Sequence, residues 1–161
     1  MKKLLLAAAI IITAASVQAQ TNFSIAGNIG VGTYSGSTLV AGGDIQVDFP
    51  ATTGLKITAS AGYENYGFKF TVGSTTVKGH TSFIPLLAGA KFNLSTNLYG
   101  HAQLGYSINT ASGGGGAFTY APSLGYMVSP NFDIAVKYIG LSNNGSTMGG
   151  VVARFAYTLG K

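Results

Sequence analysis

From Thr21 onward apolar and polar residues alternate with a period of two, and every charged residue of the alternating segments falls in the polar phase. Successive side chains of a β-strand point to opposite faces, so this pattern specifies strands with one apolar and one polar side. Eight segments carry it, near Asn22–Tyr34, Leu39–Phe49, Gly54–Glu64, Phe83–Leu94, Leu98–Ile108, Ala117–Val128, Phe132–Ile139 and Met148–Leu159. In the third, Leu55, Ile57, Ala59, Ala61 and Tyr63 alternate with Lys56, Thr58, Ser60 and Glu64. The charges Asp44, Asp48, Lys56, Glu64, Lys91, Asp133, Lys137 and Arg154 all share the polar phase.

Alternation alone fits a soluble sandwich as well as a barrel in lipid, and three features favour the barrel. The connections after the second, fourth and sixth segments are tight, near 50–53, 95–97 and 129–131, and the longest, about 65–82, follows the third. That is the alternation of short periplasmic turns with longer external loops. Aromatic residues cluster at both ends of the apolar phase: Phe23, Phe49, Phe92, Tyr126, Phe132 and Tyr157 at one, Tyr63, Tyr106, Phe118, Tyr120 and Tyr138 at the other. Two girdles suit two lipid–water interfaces, whereas a sandwich core places large rings at its centre. Finally, only 8% of residues are charged while 47% are hydrophobic, against roughly 25% charged in soluble proteins. The expected fold is an all-β, eight-stranded, antiparallel up-and-down transmembrane barrel.

The N-terminus reads as an export signal. Met1-Lys2-Lys3 precedes an apolar run from Leu4 to Ala15, and Val17-Gln18-Ala19 offers the small residues a signal peptidase reads. The run is shorter than the roughly 20 residues that span a bilayer as a helix. Residues 1–19 are therefore expected to be a cleaved signal peptide, and residues 20–161 the barrel domain. The chain has no cysteine, which excludes a disulfide framework, a thiolate metal site and lipid attachment to an N-terminal Cys. Its basic residues are scattered, so nucleic acid is not an expected partner.

Phe83–Leu94 (FIPLLAGAKFNL) and Tyr120–Tyr138 (YAPSLGYMVSPNFDIAVKY), behind a signal peptide, resemble the small outer-membrane β-barrel family. Its members are relatives of the OmpA transmembrane domain and of OmpX, often labelled porin-family proteins. The resemblance covers essentially all of Gln20–Lys161. It implies a monomeric barrel in the outer membrane of a Gram-negative bacterium, exported by a Sec-type route. It also implies contact with outer-membrane lipids, and with periplasmic chaperones and the insertion machinery during assembly. Unlike OmpA, the chain is not expected to carry a periplasmic peptidoglycan-binding domain after the barrel. It also ends Leu159-Gly160-Lys161 rather than on an aromatic, so Phe155 and Tyr157 are the expected assembly signal.

The eight strand charges, four acids and four bases, are expected to pair inside the barrel, because isolated interior charges are expensive. A lumen lined for ion passage is the rival reading. Tyr66, Phe68, Phe70 and Val72 alternate within the long third connection, followed by Gly73-Ser74 and Val77, as an extended hairpin would. That segment is the expected surface-contact loop, with exposed strand edges for an extracellular ligand. His80-Thr81-Ser82 has a His–Ser spacing reminiscent of lipid A deacylases, and defines a membrane-embedded hydrolase as a further alternative. His101, beside Gln103 in the polar phase, reads as a hydrogen-bonded interior group. The Gly113–Gly116 run lacks the Lys-Ser/Thr of a phosphate loop, and no cofactor, metal site or enzymatic activity is expected.

Overall fold

The computed structural model describes residues 21–111 and 114–159. The expected signal segment, 1–19, lies outside the described residues. The described chain forms eight strands: β1 (Asn22–Gly32), β2 (Ser37–Thr52), β3 (Leu55–Val72), β4 (Thr75–Asn93), β5 (Leu98–Asn109), β6 (Gly116–Ser129), β7 (Phe132–Asn143) and β8 (Ser146–Leu159). Each pairs antiparallel with its sequence neighbour, and β8 returns to β1 through a register running from Phe23↔Leu159 to Gly32↔Gly150. The sheet is a closed barrel. Closure removes the open edges that an isolated sheet would expose to lipid.

The alternation sorts side chains as the sequence predicts. Ile57, Leu104, Leu124 and Val136 face outward at 46–61% exposure, while Asp44, Glu64, Lys137 and Arg154 face inward at 6% or less. An apolar exterior of this extent has no place in water, and hydrocarbon is the solvent that accepts it. Along β5, the stretch from Leu98 to Tyr106 measures about 27 Å. At the usual strand tilt of about 40° it crosses roughly 20 Å of membrane depth. Outward rings settle over glycines of adjacent strands: Phe92 faces Gly100 and Tyr120 faces Gly140 across the ladder, where an added Cβ would strike the ring.

The third connection differs from expectation. The flanking strands run further than expected, and residues 65–82 form the extended hairpin, continuing the β3–β4 ladder through Phe68↔Gly79, Lys69↔Lys78 and Phe70↔Val77 to a two-residue turn at Gly73-Ser74. The period-two pattern simply persists to that turn, where Gly73 takes a positive φ of 61°. Asn144-Gly145, both with positive φ, closes the β7–β8 hairpin in the same economical way.

The interior also differs. The polar phase of the sequence leads one to expect a charged and polar lining. Toward the hairpin end it instead holds an apolar cluster of Val40, Tyr66, Phe83, Leu87, Ala117, Ala121, Ile139, Leu141 and Val152, with Tyr34 and Met148 packed against it. Short apolar runs such as Phe83–Leu87 and Ile139–Leu141 carry apolar residues in both phases, so alternation marks their outer face and leaves the inner one unmarked.

Candidate functional site: the barrel interior and the external hairpin

The polar half of the interior begins at Arg154 on β8. Its Nε and Nη2 donate to the two carboxylate oxygens of Asp44, at 3.1 and 2.8 Å, and Nη1 lies 3.8 Å from Asp133. A planar guanidinium gripping both oxygens of one carboxylate is the strongest ordinary ion-pair geometry. Lys91 bridges Asp48 at 3.7 Å and Asp133 at 3.9 Å, and sits 4.0 Å above the Tyr99 ring. The Tyr99 hydroxyl donates to Asp133 at 2.5 Å. Asn28 Nδ2 donates to Asp44 at 3.1 Å and to Glu64 at 2.5 Å, joining the fourth acid to the set.

Six of the eight predicted charges thus meet directly or through Asn28. Lys137 lies within electrostatic reach of Asp44 and Glu64, and among the described residues it has no ion pair inside 4 Å. Lys56 stands apart, lining an open cleft of about 380 Å³ at the tight-turn mouth with Asp48, Lys91, Asn97, Asn131 and Asp133. Asn28 and Tyr99 belong to the network and sequence reading did not assign them to it. Their inward phase was the available signal, but neither carries a formal charge. His101 accepts or donates at 2.8 Å to Thr58, and Gln103 donates to Ser60 at 2.8 Å, so the polar half is cross-linked around the barrel.

Glycines make room for these side chains. Gly42 lies against the Glu64 carboxylate and Gly125 against the Tyr99 ring, and at either position an added Cβ would collide with the neighbour. Above the network the apolar cluster fills the lumen. Tyr66 and Val40 are fully buried, and the Tyr66 ring meets Phe83 edge-on at 5.9 Å.

The predicted surface-contact residues separate. Tyr66 is not a surface residue: its even-numbered phase on β3 turns it into the barrel, below the point where the hairpin leaves the ring. Phe68 is half-buried, and Phe70, 49% exposed, packs beside it at 5.7 Å. The Val72 side chain lies outside the described residues. The hairpin is tied to the β1–β2 connection, since Tyr34 donates to the Gly67 carbonyl at 3.1 Å and the Lys69 amide to the Gly36 carbonyl at 2.7 Å. β5 reaches only to the partner of Phe83, so Thr75–Thr81 present an edge with no strand beside it among the described residues.

Ser82 lies at the base of this hairpin, buried, and its hydroxyl receives hydrogen bonds from Tyr63 and from Asn65, each at 2.8 Å. His80 is exposed one turn of the pleat away, and among the described residues no hydrogen bond joins it to Ser82.

No protein-family model and no curated protein matches the sequence. Solved structures do. The Yersinia pestis outer membrane protein Ail in a phospholipid bilayer nanodisc superposes with a TM-score of 0.61 at 18% identity, over 87% of this chain and 100% of Ail. The chain has the fold of the small outer-membrane β-barrels. Neisserial surface protein A shares it at a TM-score of 0.52 and 16% identity, over 86% of this chain and 97% of its own. So does PagL, an outer membrane enzyme, at 0.52 and 12%, over 84% and 99%. The small outer-membrane barrel is thus a scaffold on which both surface proteins and an enzyme are built, and function must be argued from the site.

Proposed function

We propose that the mature chain is a monomeric integral protein of the outer membrane of a Gram-negative bacterium, with a filled interior and a non-enzymatic surface-interaction role. In this reading the interior charges hold the barrel shut, and the β3–β4 hairpin meets the outside. The observation that carries it is the hairpin itself. It runs past the ring of paired strands and offers the edge Thr75–Thr81, which carries three Thr and is unpaired among the described residues, to which an extended segment of a partner can add main-chain hydrogen bonds. The filled lumen supports this over a narrow passive pore. Ser82, engaged with Tyr63 and Asn65 and lacking an activating base, supports it over a lipid-modifying hydrolase. Sec-type export, periplasmic chaperones and the insertion machinery complete the proposal.

Because the chain lacks cysteine, single cysteines report topology cleanly. Ser74→Cys, at the hairpin turn, is expected to react with a membrane-impermeant maleimide on intact cells, and Pro130→Cys, in the β6–β7 turn, only after the envelope is permeabilised. The reverse pattern would overturn the orientation and the surface role together.

A further inference from the structure

At the tight-turn mouth the interior charges pair unevenly. Asp48 and Asp133 have both carboxylate oxygens engaged. Asp48 accepts from Gln46 at 2.6 Å and faces Lys91 at 3.7 Å, while Asp133 accepts from Tyr99 at 2.5 Å and faces Lys91 at 3.9 Å. Lys56 has no such partner: among the described residues no carboxylate comes within 4 Å of its ammonium. Strand register explains the shortfall. Lys56 lies opposite Pro50 on β2 and opposite Lys91 on β4, so neither neighbouring strand sets an acid directly beside it. Like charges directly opposed weaken a strand pair, and here they leave one ammonium uncompensated.

Lys56 is half-buried in the cleft of about 380 Å³ that opens at this mouth. That volume falls within the range of about 300–1,000 Å³ usual for small-ligand pockets. Asn22, Asn97 and Asn131 line the cleft beside Lys56, and Met127 and Pro130 give it an apolar wall. The Asn97 amide donates to the Tyr126 hydroxyl at 3.3 Å, and the Asn131 amide to the Thr158 carbonyl at 3.0 Å. Those bonds fix each amide through its nitrogen, which leaves the side-chain oxygen of each to accept from a ligand. The cleft thus offers one free cation and acceptors beside it.

We infer that this cleft binds a small carboxylate with N–H donors next to its charged end, the chemistry of the C-terminus of a short peptide. The carboxylate sits on Lys56 and relieves the lysine–lysine opposition, and the N–H groups reach the oxygens of Asn97 and Asn131. A single uncompensated ammonium matches a single negative charge. A second charge, as on phosphate, would meet the carboxylates of Asp48 and Asp133 and be repelled. Binding does not depend on which way the barrel is inserted. Only the compartment that supplies the ligand rests on the orientation proposed above, which turns this mouth to the periplasm.

The test uses the purified barrel in phosphatidylcholine nanodiscs, with backbone amide resonances followed by NMR during titration with the dipeptide alanylalanine. A gel-mobility difference between boiled and unboiled samples first confirms that each variant is folded and inserted, so a failure of the barrel reading is seen separately. Saturable shifts are expected at Lys56, Asn97 and Asn131. Lys56→Met is expected to weaken binding about fivefold, the upper end for a half-exposed ion pair, and Lys56→Arg to retain it. Alanylalanine amide, which lacks the carboxylate, is expected to lose at least about as much. No saturable shift, equal affinity in K56M, or equal affinity for the amide would overturn the inference. Tighter binding of inorganic phosphate than of alanylalanine would also overturn it, assigning the cleft to a free oxyanion.

Discussion

Replacing Arg154 by Met removes the guanidinium while keeping an unbranched apolar stem of similar reach. Asp44 then loses both hydrogen bonds from the guanidinium and keeps only the one from Asn28, and Asp133 loses one of its two nearby cations. Arg154 and Asp44 are 4% and 6% exposed, so water cannot substitute for the lost partner without entering the lumen. Breaking a buried pair in this way costs about 3–5 kcal/mol, a factor of roughly 150 to 5,000 in the folding equilibrium. Replacing both partners, R154M with D44L, leaves no orphaned charge at that pair and is expected to recover most of the loss. The assay is urea unfolding of the barrel in phosphatidylcholine vesicles, read by gel mobility of unboiled samples, for the wild type, both single variants and the double. A coupling energy of at least about 2 kcal/mol is expected between the two sites. A single-variant cost below about 1 kcal/mol would refute the reasoning, because it would mean that the lumen around Asp44 is wet enough to solvate the bare carboxylate.

Three further outcomes follow from the packing. Val136→Arg sets a charge on the lipid face of β7 and should cost about 2–4 kcal/mol in the same unfolding assay if that site lies near the midplane. Leu87→Ala opens the internal apolar cluster and should cost about 2–5 kcal/mol, with the β-sheet circular dichroism signal unchanged. In planar bilayers the wild-type barrel should give no reproducible unitary conductance, since Tyr66, Phe83, Leu87 and Leu141 occupy the lumen; regular steps would show an open path past them.

Strand number, face assignment and the closed barrel were legible because a closed sheet in lipid imposes one sharp rule, apolar outside and charged inside, on every strand. The polar phase marks which charges turn inward, and Arg154 with Asp44 shows how 110 residues of separation vanish once strands β2 and β8 are both neighbours of β1. Two features escaped. A third segment that stops at Glu64 leaves Tyr66 in a surface loop, whereas the same phase carried two residues further turns its ring inward. The apolar cluster was invisible because Val40, Leu87 and Leu141 sit in a phase expected to be polar, and a lumen narrow enough to be filled accepts either chemistry. The Lys56–Lys91 opposition depends on register, which the two-residue turn at Gly73-Ser74 sets and composition does not reveal.

The most direct test of hydrocarbon contact on one side and filled protein on the other is a nitroxide scan along β5. Single cysteines from Leu98 to Ile108, leaving out Gly100 and Gly105 where a Cβ would collide, are spin-labelled in the vesicle-inserted barrel and read for collision with oxygen and with a water-soluble nickel chelate. Oxygen access should peak at Ala102, Leu104 and Tyr106, with Gln103 and Ser107 shielded from both reagents. High nickel access at Leu104 would place water where lipid is required, and high nickel access at Gln103 would replace the filled interior with an aqueous channel.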